Sequence, residues 1–127
     1  MKLFSIKPVY AHCDLPCGVY DPAQAMIEAE SVKAMMVKYD GLDEHNKIRA
    51  VVLIEQRAEL VKQHLWVLWT DYFKEPHLEQ YPQLHELFWK ATKQAGECKH
   101  HLDVAEADKL ITQIEEISKI FWETKNN

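Results

Sequence analysis

The sequence predicts an all-α protein, an antiparallel four-helix bundle, and three observations support this fold class. Apolar residues recur at helical spacing in four segments, helix start signals precede most of these segments, and the links between them are short. No strand pattern, repeat or low-complexity tract competes with the helices. A chain of 127 residues is long enough for one domain with a real core, so we expect a single bundle.

The first predicted helix begins at Asp21 and Pro22, with Asp21 as the N-cap and the proline at the first helical position. Gln24 stands where a capping box places a glutamine. Gly41 is expected to end the helix. The predicted apolar face consists of Ala23, Ile27, Ala34 and Met35.

A second, longer helix is predicted from about Asp43 to about Tyr72, with Pro76 as its stop signal. Helical spacing places one set of apolar and aromatic residues on its inner face. They are Ile48, Val51, Val52, Ala58, Val61, Leu65, Leu68 and Tyr72.

Pro82 is expected to open the third helix, and Gly96 to weaken its end. Its inward residues are predicted to be Leu84, Leu87, Phe88, Ala91 and Ala95. The segment from Asp103 to Glu106 has the pattern of a capping box and predicts the start of the fourth helix. The inward residues of that helix are predicted to be Leu110, Ile111, Ile114, Ile117 and Phe121.

The segment from His12 to Tyr20, HCDLPCGVY, concentrates two thiols, an imidazole and several backbone amides in nine residues. Pro16 restricts φ and Gly18 permits a sharp turn, so the segment is expected to curl into an N-terminal metal-binding hook. Thiolate and nitrogen donors suit zinc, copper or nickel, and a planar arrangement favours nickel(II) or copper(II). The spacing does not choose among these metals. The same pattern also fits two ordinary thiols or a redox pair.

Composition narrows the classes of function. No apolar run is long enough to span a membrane, and residues 1–11 lack the apolar core of a secretory signal. The 20 acidic residues outnumber the 15 basic ones, which argues against a nucleic-acid partner. Three cysteines do not form a paired disulfide framework, so we expect a soluble cytoplasmic protein.

The whole string HCDLPCGVYDPAQA, followed by IEAESVKA, closely resembles the mature amino terminus of the nickel-containing superoxide dismutases. The resemblance resumes in IRA, EQRAELVKQHL, LWTDYFKEPHLEQYPQLHEL and KIFWETK. It therefore covers nearly all of residues 12–127. It implies an enzyme that disproportionates superoxide to oxygen and hydrogen peroxide, with one nickel ion per subunit cycling between Ni(II) and Ni(III).

The resemblance also implies which residues form the site. The metal ligands are the sulfurs of Cys13 and Cys17, the backbone nitrogen of Cys13, and the amine and imidazole of His12. Tyr20 would lie near the open face of the metal, with Tyr72 hydrogen-bonded behind it. Without the resemblance, Tyr20 would be interpreted as a packing ring.

Glu28 and Arg57 would support the histidine imidazole, a role that metal-bound histidines commonly require. Their alternative is ordinary surface charge on two helices. Lys74, beside Tyr72, is a candidate for attracting the anionic substrate, and its alternative is a plain surface lysine.

Three further expectations come from the resemblance. Residues 1–11 form a leader that a peptidase removes to expose His12, leaving residues 12–127 as the single domain, with the hook at 12–20 and the bundle at about 22–127. Without the resemblance, residues 1–11 would be an ordinary chain terminus. The subunits are expected to assemble as a homohexamer.

Two alternatives from other classes remain at this point: a non-enzymatic nickel-binding or storage protein, and a helical interaction module with a thiol redox pair. Cys98, His100 and His101 are interpreted as structural or surface residues and not as a second metal site. The four tryptophans are expected in the core or at a subunit interface. They are Trp66, Trp69, Trp89 and Trp122.

Overall fold

A computed structural model describes residues 17–126. The described chain is helical, without strands: α1 spans Ala23–Lys38, α2 spans Glu44–Val67, α3 spans Glu75–Gln80, α4 spans Leu84–His100 and α5 spans Val104–Lys125. A 3₁₀ turn at Tyr39–Gly41 follows α1, and a π-helical turn at Leu68–Tyr72 prolongs α2. None of the helices in this part of the chain combines the length and apolar character that crossing a membrane requires.

The four long helices form the predicted antiparallel bundle. Each packs against two others, in the cyclic order α1, α2, α4 and α5. Cross-helix contacts show the antiparallel pairing of α4 and α5, because Gln94 pairs with Glu106 at one end and Tyr81, just before α4, pairs with Glu123 at the other. The start of α1, the end of α2, the start of α4 and the end of α5 therefore lie at the same end of the bundle.

The core is apolar, and no polar or charged residue in the described chain is buried. Its largest fully buried side chains include Phe88, Phe121, Leu65, Leu84 and Leu110. Alanines lie between them on the inner faces of α1 and α4, and such small residues let the helices approach closely.

The predicted inner faces of α4 and α5 are confirmed, since their predicted residues are buried or pack against the core. Asp103 caps α5 by accepting a hydrogen bond from the backbone N–H of Ala105 at 2.9 Å. The capping box itself was wrong, because the Glu106 carboxylate bonds to Gln94 and Lys109 instead. Gly96, predicted to weaken the end of this helix, lies inside α4, which continues to His100.

The predicted face of α1 was wrong. The buried residues are Ala25, Ala29, Val32 and Met36, whereas Ile27 is 61% exposed. Ala23 and Ala34 are also exposed, and Met35 is only partly buried. Apolar residues lie on several sides of α1, so periodicity alone could not select the side that contacts the other helices. The start near Asp21 is confirmed, since its carboxylate accepts from the backbone N–H of Ala23 at 2.8 Å.

The predicted inner face of the first half of α2 was also wrong. Ala50 and Ile54 face the core there, and the predicted Ile48, Val51 and Val52 are exposed. Ala58, Val61, Leu65 and Leu68 are buried as predicted. Pro76 does not stop this helix, because the chain already leaves it after Tyr72 and Pro76 lies in the first turn of α3, a helix that the sequence pattern did not predict.

Candidate metal centre

The described part of the hook, residues 17–20, presents a thiol beside a glycine, and we name its residues 17–19 the Gly18 turn. Gly18 has φ of +71°, a conformation that other residues adopt only at a cost. The predicted curl of the whole hook stays a prediction, because most of the hook lies outside the described residues. The backbone N–H of Val19 donates to the Cys17 sulfur at 3.4 Å. Cys17 is exposed at the surface. His12 and Cys13, the other predicted ligands, lie outside the described residues.

The hook continues into an aromatic contact with the end of α2. The ring of Tyr20 lies 5.5 Å from the ring of Tyr72, at an interplanar angle of 57°. Both rings are partly buried and pack against the core. The structure therefore brings together the two tyrosines that were predicted to belong to one site, although they are far apart in the sequence.

The π-helical turn places Tyr72. The backbone N–H of Phe73 donates to the carbonyl of Leu68, five residues earlier, at 3.0 Å. Such a turn is rare, and is found frequently at functional sites. The Tyr72 ring then packs 4.4 Å from Phe121 on α5 and stacks on His77 of α3 at 5.8 Å. The helix that the sequence did not predict thus forms one wall around this tyrosine.

Two residues at the end of α5 contact the site, and sequence reasoning missed both. The Tyr72 hydroxyl is 2.9 Å from the hydroxyl oxygen of Thr124. The Lys125 ammonium donates to the carbonyl of Gly18 at 3.2 Å and lies 5.7 Å from the centre of the Tyr72 ring. Both belong to KIFWETK, one of the segments that carries the family resemblance, but no spacing rule connects this segment to the hook.

Glu28 and Arg57 form an ion pair between α1 and α2. One guanidinium nitrogen lies 3.2 Å and 3.4 Å from the two carboxylate oxygens. The predicted pairing of these residues is thus present, in the second turn of α1.

Lys74 lies at the end of the bundle that carries the hook. Its ammonium donates to the carbonyl of Asp71 at 2.8 Å.

Cys98, His100 and His101 do not converge. Cys98 is fully buried, and burial raises the pKa of its thiol to about 12. The two histidines are exposed, and His101 lies 3.4 Å from the carboxylate of Glu97. Within residues 17–126, no three histidine, cysteine or acidic side chains are arranged to hold a metal ion.

The donor chemistry of the hook fits a thiolate-bound metal. The sulfur of Cys17 is exposed, within 3.4 Å of the backbone nitrogen of Val19 and 3.9 Å of its carbonyl oxygen, and a cysteine sulfur binds metals as the thiolate. A surface turn also leaves the sulfur accessible to an ion. The fold and this segment define a class of protein, an all-helical bundle that carries an exposed cysteine and a pair of packed tyrosines at one end.

Comparison with known proteins identifies the member of this class. The model of the family described as nickel-containing superoxide dismutase matches residues 7–125. The superoxide dismutase [Ni] of Streptomyces seoulensis is 58% identical over 126 residues, covering 98% of this chain and 96% of its own. That of Streptomyces coelicolor is 56% identical over the same length and coverage.

Solved structures agree. The native structure of a nickel superoxide dismutase at 1.30 Å superimposes with a TM-score of 0.89 at 56% identity, covering 91% of this chain and 100% of its own. A nickel-containing superoxide dismutase with the nickel ligation of the oxidised state gives 0.88 at 58% identity and the same coverage. The chain belongs to the nickel-containing superoxide dismutases, which are oxidoreductases with a nickel cofactor that disproportionate superoxide. This membership favours the enzyme over the storage protein among the predicted alternatives.

Proposed function

We propose that His12, Cys13 and Cys17 hold one nickel ion per subunit at the N-terminal hook. The donors are the two cysteine sulfurs, the backbone nitrogen of Cys13, and the amine and imidazole of His12. The observation that carries this proposal is the exposed Cys17 thiol on the Gly18 turn, three residues before Tyr20, whose ring packs against that of Tyr72. Nickel bound by thiolates and an anionic amide supplies a reversible one-electron couple that aqueous nickel(II) lacks.

Tyr20 and Tyr72 limit access to the hook. Their tilted rings pack on the core and present phenol groups at the end of the bundle where Cys17 lies. A small anion passes such a barrier more easily than a larger molecule. The hydroxyl of Tyr20 can also donate a hydrogen bond to an anion and so orient it without binding the metal.

Lys74 attracts superoxide to this end of the molecule. The protein has a net charge of −5, so attraction of an anion requires a local positive charge. Lys74 is two residues from Tyr72, and its ammonium is held near the end of α2 by the carbonyl of Asp71. Its charge therefore remains close to the approach to the hook.

Glu28 and Arg57 orient the His12 imidazole. The guanidinium holds the carboxylate in one position, and a fixed carboxylate can accept a hydrogen bond from an imidazole nitrogen. The pair joins the first two helices of the bundle, so its position does not depend on the hook.

A matched pair of cysteine variants tests the hook. We expect Cys17→Ser to lose nickel and dismutase activity, because an alcohol is a poor substitute for a thiolate donor. Cys98→Ala, which removes the buried thiol of α4, should keep both. Nickel content, dismutase activity and circular dichroism are measured on each variant. Normal nickel and activity in Cys17→Ser would contradict the proposed ligand set.

Residues 1–11 act as a leader that a peptidase removes. The two solved structures compared above cover 91% of this 127-residue chain, or about 116 residues, which is the length of the segment 12–127. The Streptomyces seoulensis relative covers 98% of it. With the leader attached, the nitrogen of His12 is a peptide amide, which is not an available amine donor.

Three forms of the protein test this step: residues 1–127, residues 12–127, and residues 12–127 with one extra residue before His12. Each is loaded with nickel and assayed. We expect full activity only in the second form, and better loading as pH rises through neutrality, because an unperturbed terminal amine has a pKa of about 8. Equal activity in the uncut form would show that the amine is dispensable.

The mature subunits assemble as a homohexamer in the cytoplasm. Trp66, Trp89 and Trp122 are 40%, 57% and 43% exposed, so of the two predicted locations for these residues the interface is favoured. All three lie toward the end of the bundle that carries the hook. Cys98 is a free thiol, which is compatible with a reducing compartment.

A further inference from the structure

The last turn of α5 reaches back to the hook, and its two contacts come from adjacent residues. Thr124 contacts the Tyr72 hydroxyl, and Lys125 contacts the Gly18 carbonyl. The register of this turn is set by the core, because Phe121 is fully buried one turn earlier and packs 4.4 Å from the Tyr72 ring. Both residues are therefore presented by a rigid element.

The hydrogen bonds of Thr124 determine the direction in which Tyr72 donates. A threonine hydroxyl carries one proton, and that of Thr124 goes to the carbonyl of Phe121 at 2.7 Å, because a carbonyl can only accept. In the 2.9 Å contact between the two hydroxyls, Tyr72 must then be the donor. The phenol proton is directed toward α5, and the lone pairs of the oxygen are left to accept.

Lys125 connects the hook to the same tyrosine. Its ammonium donates to the carbonyl of Gly18, at the residue with positive φ, and lies 5.7 Å from the centre of the Tyr72 ring. A cation at this distance from an aromatic face is attracted by it. One side chain thus restrains the turn that carries Cys17 and keeps that turn next to Tyr72.

We propose that Thr124 and Lys125 are positioning residues for the nickel site: Thr124 fixes the direction of the Tyr72 hydroxyl, and Lys125 holds the Gly18 turn against the bundle. The inference rests on the proposed placement of nickel at the hook. It extends the functional site to the C-terminal helix.

Threonine variants of the nickel-loaded, processed protein test the first half. We expect Thr124→Val to lower the dismutation rate constant about two- to tenfold, the effect of losing one positioning hydrogen bond, with nickel content and helicity unchanged. Thr124→Ser should restore the rate. The matched control is Thr112→Val, which removes an exposed hydroxyl on the same helix that also bonds to its own backbone.

A vibrational measurement distinguishes a change in the direction of the Tyr72 hydroxyl from a general loss of structure. The tyrosine doublet in ultraviolet resonance Raman spectra reports whether a phenol donates or accepts. We expect the doublet to change in Thr124→Val, to be normal in Thr124→Ser and Thr112→Val, and to lose its response to Thr124→Val when Tyr72→Phe is also present. An unchanged doublet and rate in Thr124→Val would overturn the role of Thr124.

Nickel release to an excess of chelator tests the second half. We expect Lys125→Met to speed release about two- to tenfold, since one anchoring hydrogen bond of the hook is lost, and Lys125→Arg to restore slow release. Lys119→Met, which removes an exposed lysine from the same helix, is the control. Equal release rates in Lys125→Met and Lys119→Met would overturn the role of Lys125. Absence of nickel from the unmutated processed protein would instead overturn the proposed hook site.

Discussion

At the scale of single residues, the two cysteines that the structure describes have opposite surroundings. Cys17 is exposed on a turn whose backbone N–H donates to its sulfur. Cys98 is fully buried, with its pKa raised first by burial and then by the nearby carboxylates of Glu106 and Glu97. Of these two thiols, only that of Cys17 is accessible from the solvent. Cys13 lies outside the described residues.

Burial of Cys98 makes stability depend on pH in the alkaline range. The pKa of this thiol is about 12 in the folded chain, against an ordinary value of 9.0. A raised pKa contributes stability that is complete below the unfolded value and is lost as pH rises toward the folded one. We expect the free energy of unfolding to fall by about 1.4 kcal/mol per pH unit from this group between the two values.

Urea unfolding at about pH 8 and about pH 10 checks this expectation, with Cys98→Ala as the reference that lacks the thiol. The wild type should lose more stability than the variant over this interval. Identical losses in the two proteins would show that the Cys98 thiol ionises as easily in the folded chain as in the unfolded one.

At the scale of elements, a change in the Gly18 turn is expected to leave the helical bundle intact. A side chain at Gly18 would meet no atom within 4 Å, but positive φ costs another residue about 1–2 kcal/mol. Opening the turn relieves this strain without disturbing the helices. We expect Gly18→Ala to weaken nickel retention about fivefold to thirtyfold and to leave the thermal midpoint unchanged.

Gly41→Ala is the matched control, because Gly41 also has open space around it but no positive φ. Nickel retention by competition with a chelator and thermal unfolding are measured on both variants. A normal nickel affinity in Gly18→Ala would mean that the turn seen here is not required for binding.

The inner faces of the helices were predicted correctly on some helices and wrongly on others. On α4 and α5 the apolar residues form one stripe, so their inner faces followed from spacing. On α1 and the first half of α2 the apolar residues lie on more than one side, and the buried face contains small alanines in place of the predicted Ile27 and Ile48. Alanine was buried because of how closely the neighbouring helices pack, which local periodicity does not report.

At the scale of the whole molecule, exposed tryptophans mark the hook end of the bundle. Trp89 and Trp122 are 57% and 43% exposed at the start of α4 and near the end of α5. Large exposed aromatics are typical of the buried centre of an interface between subunits. We expect the double variant Trp89→Ser, Trp122→Ser to dissociate the proposed hexamer into smaller species.

Analytical ultracentrifugation at several protein concentrations measures this effect. Ile48→Ser, which removes a side chain 69% exposed at the opposite end of the bundle, serves as the control for lost apolar surface. If only the Ile48→Ser control dissociates, the subunit interface lies at the end of the bundle opposite the hook. If the double tryptophan variant stays assembled, these tryptophans do not belong to the interface.

The sequence by itself determined the all-α fold class, the starts of the long helices and the family, because capping signals, amphipathic spacing and the hook string are local patterns. It also singled out Cys17, Tyr20, Tyr72 and the Glu28–Arg57 pair. Tertiary structure alone decided the buried sides of α1 and α2, the π-helical turn and the contacts of Thr124 and Lys125. The bond from Lys125 to Gly18 joins residues 107 positions apart. Such a contact depends on how packed helices bring their ends together, and no local pattern contains that information.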